Sequence, residues 1–160
     1  RVIDAMQMSI RARGAHVIVH ELPPVWGDPT ALEQVFGNLL GNAVNYLDPS
    51  REGRIEIGTT AVPLGVSSLR IFYVKDNGLG IPEVAMPRLF SAFQRLHGNA
   101  AAGEGIGLAL VRRVVERHGG RVWAESEEGV GTTFYLSLPQ AAPVRRDLLD
   151  VASGSASRER

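Results

Sequence analysis

Three asparagines, Asn38, Asn42 and Asn45, recur at steps of three and four residues within the stretch from Asp28 to Leu47. At about 100° per residue, their side chains fall within roughly 60° of each other on a helix. Asparagine is a mediocre helix former, because its side chain competes for local backbone hydrogen bonds. This run therefore indicates either a solvated polar face or a helix that lines a polar ligand or metal site.

Short glycine patterns supply the second set of candidate residues. They are Asp76-x-Gly78-x-Gly80 after a predicted strand, Gly103-x-Gly105-x-Gly107 before a predicted helix, and Gly129-x-Gly131-Thr132 in a predicted hairpin. Glycines ahead of a helix let backbone N–H groups approach a phosphate, and the helix dipole favours the anion. Taken alone, each pattern is also explained by a turn. No βαβ unit surrounds the second pattern and no Gly-Lys-Ser/Thr occurs, which excludes the dinucleotide fingerprint and the P-loop.

Apolar periodicity predicts the elements that must hold these residues. Asp28 is a good N-cap and Pro29 suits the first helical position. The buried face of that helix is expected to carry Leu32, Val35, Phe36, Leu39, Leu40 and Ala43, about 120° from the amides. A weak helix is predicted over residues 1–13 and a second strong one over residues 106–118.

Strands are predicted over residues 16–21, 54–60, 69–75, 121–127 and 131–138, because these runs are β-branched or alternate apolar with polar residues. The second and third strands, and the last two, are expected to pair as antiparallel hairpins. This order predicts an α+β fold: a two-layer α/β sandwich with a mixed, mostly antiparallel sheet covered on one face by helices.

Composition and charge limit the classes of function that the chain is expected to have. The chain of 160 residues is 44% hydrophobic and 21% charged, which suits one soluble globular domain. Its 17 basic residues balance 17 acidic ones, so no basic field for nucleic acid or a membrane surface is expected. The absence of cysteine excludes disulfides and thiolate metal sites, and no apolar run approaches a membrane span. The absence of cysteine suits a cytoplasmic protein, and because the chain begins with Arg1 and not with Met, we expect a fragment of a longer protein.

The joint order of the motifs is more specific than any one of them. An Asn-rich helix, DxGxG, a phenylalanine segment, GxGxG and GxGT resemble the ATP-binding catalytic domain of sensor histidine kinases. That domain has the Bergerat-type fold shared with Hsp90, type II topoisomerases and MutL. The resemblance covers roughly residues 17–139. It implies a catalytic domain at 15–139. The weak helix indicates that residues 1–14 are the end of a linker or helix from a preceding domain, and the polar sequence predicts a disordered tail at 140–160.

The resemblance also implies roles for residues in the box NLLGNAVNY. Asn42 would ligate Mg²⁺ bridging the phosphates of ATP, which suits a hard ion bound by oxygen atoms. Asn38 would help to hold the triphosphate, and Tyr46 would lie near the nucleotide. Asn45 stands where these kinases usually carry Lys, so one phosphate-directed charge is missing.

In the box DNGLGI, the resemblance implies that Asp76 accepts a hydrogen bond from the adenine amino group. Gly78 and Gly80 would let the backbone close on the base, and Ile81 would pack on it. Thr132 in GVGTTF would support the adenine contact.

The remaining boxes concern a mobile lid and the phosphates. Phe90 and Phe93 in RLFSAFQRL would anchor the lid, and Arg95 would reach the γ-phosphate. The box GEGIGLAL would place four residues at the phosphates: Gly103, Gly105, Gly107 and Leu108. Asn38 occupies the position of a water-activating Glu in the ATPase relatives, and an amide cannot act as that base. This favours phosphoryl transfer to a protein over hydrolysis.

The resemblance implies a domain that binds Mg·ATP and presents the γ-phosphoryl group to a histidine on a dimerisation domain absent from this fragment. The implied partners are that domain of the same parent protein and the receiver domain of a response regulator, with no nucleic acid and no direct membrane contact. We expect a monomeric fragment, a homodimeric intact kinase and no assignable catalytic residue. Two alternatives stay open: a degenerate nucleotide-dependent interaction module, supported only by Asn45, and a serine kinase of the anti-sigma type.

Overall fold

A computed structural model describes residues 1–60, 68–91 and 107–140 of the chain. The helices are α1 (Val2–Ala5), α2 (Gln7–Ala12), α3 (Pro29–Asn45), a 3₁₀ helix (Glu83–Arg88) and α4 (Gly107–Arg117). The strands are β1 (His16–Val19), β2 (Arg54–Thr59), β3 (Leu69–Asp76), β4 (Val122–Glu127) and β5 (Gly131–Pro139).

The strands form a five-stranded sheet in the order β1-β2-β3-β5-β4. β1 runs parallel to β2, and the other neighbouring strands are antiparallel. The parallel pair needs a crossover connection, which α3 provides. The predicted hairpins, β2 with β3 and β4 with β5, are confirmed, and so is the α+β class with its mixed, mostly antiparallel sheet.

Helices α3 and α4 pack on one face of the sheet. The buried side chains of β3 and β5 alternate along each strand, as expected when one face is covered. The exception is Ser137 of β5, which is buried together with its neighbours on both sides. On α3, the residues Val35, Leu39, Leu40 and Ala43 are buried as predicted, while Leu32 and Phe36 are only partly buried.

The start of α3 agrees with the prediction in detail. The Asp28 side chain accepts hydrogen bonds from the backbone N–H groups of Thr30 and Ala31, and Pro29 occupies the first helical position. The cap satisfies N–H groups that have no partner within the helix. The cap therefore fixes the residue at which α3 begins.

The N-terminal helices pack on this core. Ile10 of α2 is buried, and Val2, Ile3 and Met6 lie against the core as partly buried residues. The assignment of residues 1–14 to the end of a preceding domain stays a prediction. At the other end, Gln140 forms a β-bridge with Val25, and residues 141–160 of the predicted tail lie outside the described residues.

Candidate functional site

A pocket lies where the second half of α3 meets the end of β3 and the start of β5. The residues that line it are Asn42, Tyr46, Asp76, Gly80, Ile81, Thr132 and Phe134. All except Phe134 were predicted as site residues. The antiparallel register explains the meeting of the two motifs, because Asp76 at the end of β3 pairs with Thr132 near the start of β5.

Asp76 is the buried acid of this pocket, with 6% of its surface exposed. Its Oδ1 accepts hydrogen bonds from the backbone N–H groups of Gly78 at 2.9 Å and Thr132 at 3.3 Å. Burial raises the pKa of Asp76 to about 6, although these two hydrogen bonds act to lower it. The site thus holds an oriented carboxyl group, and a hydrogen-bond donor supplied by a ligand would compensate its poor solvation.

The glycines after Asp76 are required by close packing within the protein. A Cβ added at Gly78 would overlap the carbonyl oxygen of Tyr46. Gly80 has a φ of +73°, and a Cβ there would overlap the carbonyl oxygen of Glu127. The loop of residues 77–81 therefore packs tightly between the end of α3 and the β4–β5 hairpin. This packing holds Asp76 and Ile81 in the pocket.

Ser126, which the sequence analysis missed, ties this loop to β5. Its Oγ accepts a hydrogen bond from the backbone N–H of Ile81 at 2.8 Å and donates to the carbonyl oxygen of Gly131 at 3.0 Å. The same hydroxyl lies 2.8 Å from Oγ1 of Thr132. Ile81 and Thr132 are thereby held at fixed positions on two sides of Asp76. The only sequence signal was the position of Ser126 on β4.

Arg51, also missed, holds the loop from the opposite side. Its Nε donates to the carbonyl oxygen of Asn77 at 2.8 Å, and its Nη2 donates to that of Gly78 at 2.7 Å. A longer contact of 3.3 Å joins Nη2 to the carbonyl oxygen of Val130. A guanidinium group suits this role because its donors have a rigid planar arrangement. A lone Arg in a polar loop carries no signal of such a contact.

Phe134, the third missed residue, lies two positions after Thr132 on β5, so both side chains face the same side of the sheet. Its ring meets that of Phe90 edge to face, with centroids 6.1 Å apart. The alternation of β5 was a usable signal for Phe134. The contact also places Phe90 beside the pocket wall.

The asparagines differ in their surroundings. Asn42 is 8% exposed, and its Nδ2 is buried without a hydrogen-bond partner in the part of the chain that the structure describes. Asn38 is half-buried and lies near the start of α4, where a Cβ added at Gly107 would be 3.3 Å from its Oδ1. Asn45 is exposed at the end of α3. Only Asn42 lines the pocket.

The other predicted site residues fall in two groups. Leu108 is buried in the hydrophobic core near the start of α4. Those that lie outside the described residues are Phe93, Arg95, Gly103 and Gly105. Among the described residues, no cluster of three or more His, Cys, Asp or Glu side chains is placed to hold a metal ion. No helix in the same ranges is long and apolar enough to cross a membrane.

The cavity itself has a volume of only about 10 Å³, so the chemistry of its lining, and not its size, favours a purine base with an exocyclic amino group. Asp76 offers a buried acceptor, Ile81 and Phe134 offer apolar surface, and Nδ2 of Asn42 lacks a partner among the described residues. A half-turn of that amide exchanges its nitrogen and oxygen, so Asn42 also has the chemistry to offer an oxygen to a hard cation.

Comparisons with known proteins point to one family. The model of histidine kinase-, DNA gyrase B-, and HSP90-like ATPases matches residues 27–142. The chain is 38% identical over 141 residues to cyanobacterial phytochrome B of Nostoc sp., a match that covers 86% of this chain and 18% of the phytochrome. It is 36% identical over 115 residues to the sensor protein kinase WalK of Staphylococcus aureus, covering 70% of this chain and 27% of WalK. The chain thus spans a minor part of these relatives.

Solved structures agree with this result. The catalytic domain of histidine kinase ThkA, in a nucleotide-free form, matches with a TM-score of 0.70 and 27% identity, over 87% of this chain and 88% of that one. Full-length ShkA in complex with AMPPNP matches with a TM-score of 0.71 and 28% identity, over 89% of this chain and 29% of that one.

Proposed function

The chain belongs to the histidine kinase-, DNA gyrase B- and HSP90-like ATPases, and it is an ATP-binding catalytic domain of the histidine kinase type. We propose that it transfers the γ-phosphoryl group of ATP to a histidine on the dimerisation domain of its parent protein. The observation that carries the proposal is the buried, oriented carboxyl of Asp76 beside Nδ2 of Asn42, which has no hydrogen-bond partner among the described residues. Asp76 recognises a base and Asn42 a phosphate-bound cation.

Adenine recognition rests on Asp76. Its Oδ1 is used by two backbone N–H groups, so Oδ2 is the oxygen we assign to the amino group of adenine. Thr132 supports this contact, and Ile81 packs on the base. Guanine carries a carbonyl oxygen where adenine has its amino group, and two acceptors facing each other are disfavoured.

The phosphates extend from this pocket along α3 towards the start of α4. We assign the amide oxygen of Asn42 to Mg²⁺, which takes oxygen ligands and is usually held by few protein groups together with phosphates and water. When bound, Mg²⁺ neutralises charge on the phosphates and orients them. Asn38 and Gly107 lie next to each other and border this path, and Tyr46 and Asn45 lie near the nucleotide. For Phe93, Arg95, Gly103 and Gly105 the roles rest on the motif alone.

The chemistry asked of this chain is positioning. Phosphoryl transfer depends mainly on alignment and charge neutralisation, with little covalent chemistry supplied by the protein. Asn38, an amide, does not abstract a proton from water. The domain therefore holds the γ-phosphoryl group for an acceptor that comes from elsewhere in the parent protein.

The partners follow from this role. The relatives are much longer than this chain, and we infer a parent protein with a histidine-bearing dimerisation domain that forms a homodimer. A response regulator receiver domain then accepts the phosphoryl group. We place the domain in the cytoplasm, where ATP is available.

The test is transfer from [γ-³²P]ATP to the dimerisation domain of the parent protein, supplied as a separate chain. We expect a labelled acceptor whose phosphate is lost in acid and retained in base, and no label when the acceptor histidine is replaced. An acid-stable phosphate would indicate a serine kinase instead. ATP binding with no transfer to any acceptor would indicate an interaction module.

A further inference from the structure

Helices α3 and α4 lie against each other, and both border the proposed phosphate path. The first residue of α4, Gly107, lies beside Asn38 in the middle of α3. The last turn of α4 lies beside the N-cap of α3, where His118 meets Asp28. The two helices are therefore antiparallel, with the site at one end of their contact and His118 at the other.

His118 makes two hydrogen bonds that join different elements. Its Nδ1 lies 2.8 Å from the carbonyl oxygen of Val114, within α4. Its Nε2 lies 3.1 Å from the backbone nitrogen of Asp28, which donates. Because the backbone N–H is a donor, Nε2 must carry the lone pair and Nδ1 must carry the proton. A single neutral tautomer satisfies both bonds.

The surroundings of His118 hold the ring in place. A Cβ added at Gly27 would come within 2.8 Å of its Cδ2, so the backbone before α3 packs directly on the imidazole. Beyond the ring, Gly119 has a φ of +78°, and a Cβ at Gly120 would overlap the carbonyl oxygen of Ser137 on β5. The chain after α4 thus packs closely on the sheet, and the imidazole of His118 faces the start of α3.

We propose that His118 is a positioning residue for the phosphate part of the nucleotide, acting through the spacing between α3 and α4. The inference rests on the proposed function. α4 has 11 residues, so it is about 16 Å long, and a tilt of about 5° would move its far end by about 1.4 Å. A shift of that size at Gly107 is comparable to the tolerance of a phosphate contact. No described residue of α4 lines the adenine pocket, which lies between the end of α3, β3 and β5, so we expect a tilt of α4 to leave that pocket in place.

A matched pair of substitutions separates the two hydrogen bonds. In His118→Asn, the amide nitrogen can take the place of Nδ1 and donate to Val114, but the side chain is too short to reach Asp28. In His118→Gln, the amide oxygen can take the place of Nε2 and accept from Asp28. The control is His20→Asn, the same change at an exposed histidine that bonds to Glu56 on the outer face of the sheet.

The readouts are the Kd of Mg·AMPPNP by calorimetry and the Kd of adenosine by NMR titration. We expect His118→Asn to raise the AMPPNP Kd by up to roughly tenfold, the limit reached if the free energy of the lost hydrogen bond is expressed wholly in binding. Its adenosine Kd should stay within about twofold of wild type. His118→Gln should restore the AMPPNP Kd, and His20→Asn should leave both constants unchanged. A purely structural loss would weaken both ligands together.

The outcomes distinguish this inference from the proposed function. An unchanged AMPPNP Kd in His118→Asn, or an equal loss of AMPPNP and adenosine binding, would overturn the role of His118 while leaving the nucleotide site intact. Failure of the wild type to bind AMPPNP at all would overturn the proposed function, and the inference with it.

Discussion

Replacing Asp76 by Asn should stabilise the ligand-free domain while abolishing recognition of adenine. Burial raises the pKa of Asp76 from 3.8 to about 6 in the folded state. Between these pH values the folded state binds more protons than the unfolded state, so this group lowers stability as the pH rises. A difference of about two pKa units corresponds to a loss of stability of about 3 kcal/mol, which is nearly complete at about pH 7.

The asparagine variant stays neutral throughout this range, and its Oδ1 can still accept hydrogen bonds from Gly78 and Thr132. Its stability advantage over wild type should therefore be small near pH 4 and rise to about 3 kcal/mol at pH 8. The other carboxyl groups that titrate in this window are common to both proteins and cancel in the difference. Glu128→Gln, an exposed change in the neighbouring turn, should shift stability by less than about 0.5 kcal/mol.

The assay is urea unfolding of wild type and Asp76→Asn at one-unit steps from pH 4 to pH 8. A stability difference that is the same at every pH, or that shrinks as the pH rises, would refute the claim that burial of the carboxyl controls its proton affinity. The same samples test function. In the variant an amide N–H₂ group faces the amino group of adenine, and two donors cannot bond, so saturating Mg·AMPPNP should no longer raise the melting temperature.

Three further substitutions test the loop that holds Asp76 and the amide beside it. Gly80→Ala should cost about 1–3 kcal/mol more than Gly129→Ala in urea unfolding. Both residues have positive φ, but only at Gly80 would the added Cβ overlap a backbone carbonyl oxygen; equal costs would show that the packing around Gly80 is not close. Arg51→Ala should lower stability by about 1–3 kcal/mol and weaken AMPPNP binding, because it removes the hydrogen bonds to the loop after Asp76. The control Arg112→Ala, which breaks an exposed ion pair with Glu116 within α4, should cost less than about 1 kcal/mol. Asn42→Leu should raise the stability of the ligand-free domain by about 1–3 kcal/mol, because it removes a buried donor that has no partner among the described residues. The same variant should lose Mg²⁺-dependent binding of AMPPNP. A variant less stable than wild type would contradict the role assigned to Asn42.

Local signals were enough to predict the elements. Asp28, Pro29 and the apolar stripe of α3 act within a few residues of each other, and the structure confirms the cap and most of the buried face. The same periodicity grouped Asn45 with Asn42, yet Asn45 is exposed. Helical periodicity gives the direction in which a side chain points from α3. Whether another element covers that side chain depends on the rest of the fold.

The site itself depends on pairings that no local pattern encodes. Asp76 meets Thr132 because β3 pairs with β5 in one register, and that choice of neighbour is made across 56 residues of chain. Ser126 and Arg51 support the site through backbone contacts whose partners are distant in sequence. Motif order predicted residues that line the pocket, whereas the residues that hold them in place became visible only in three dimensions.

The central claim is that Asp76 accepts a hydrogen bond from the amino group of adenine in the pocket between α3 and β5. Calorimetric titration of the wild-type domain with AMPPNP and with GMPPNP, each with Mg²⁺ in excess, tests it most directly. The two ligands share their phosphates and differ in the group that faces the carboxyl. We predict saturable binding of AMPPNP and at least a tenfold weaker binding of GMPPNP, which is about 1.4 kcal/mol. Equal affinity for the two nucleotides would contradict the assignment of Asp76 to the base.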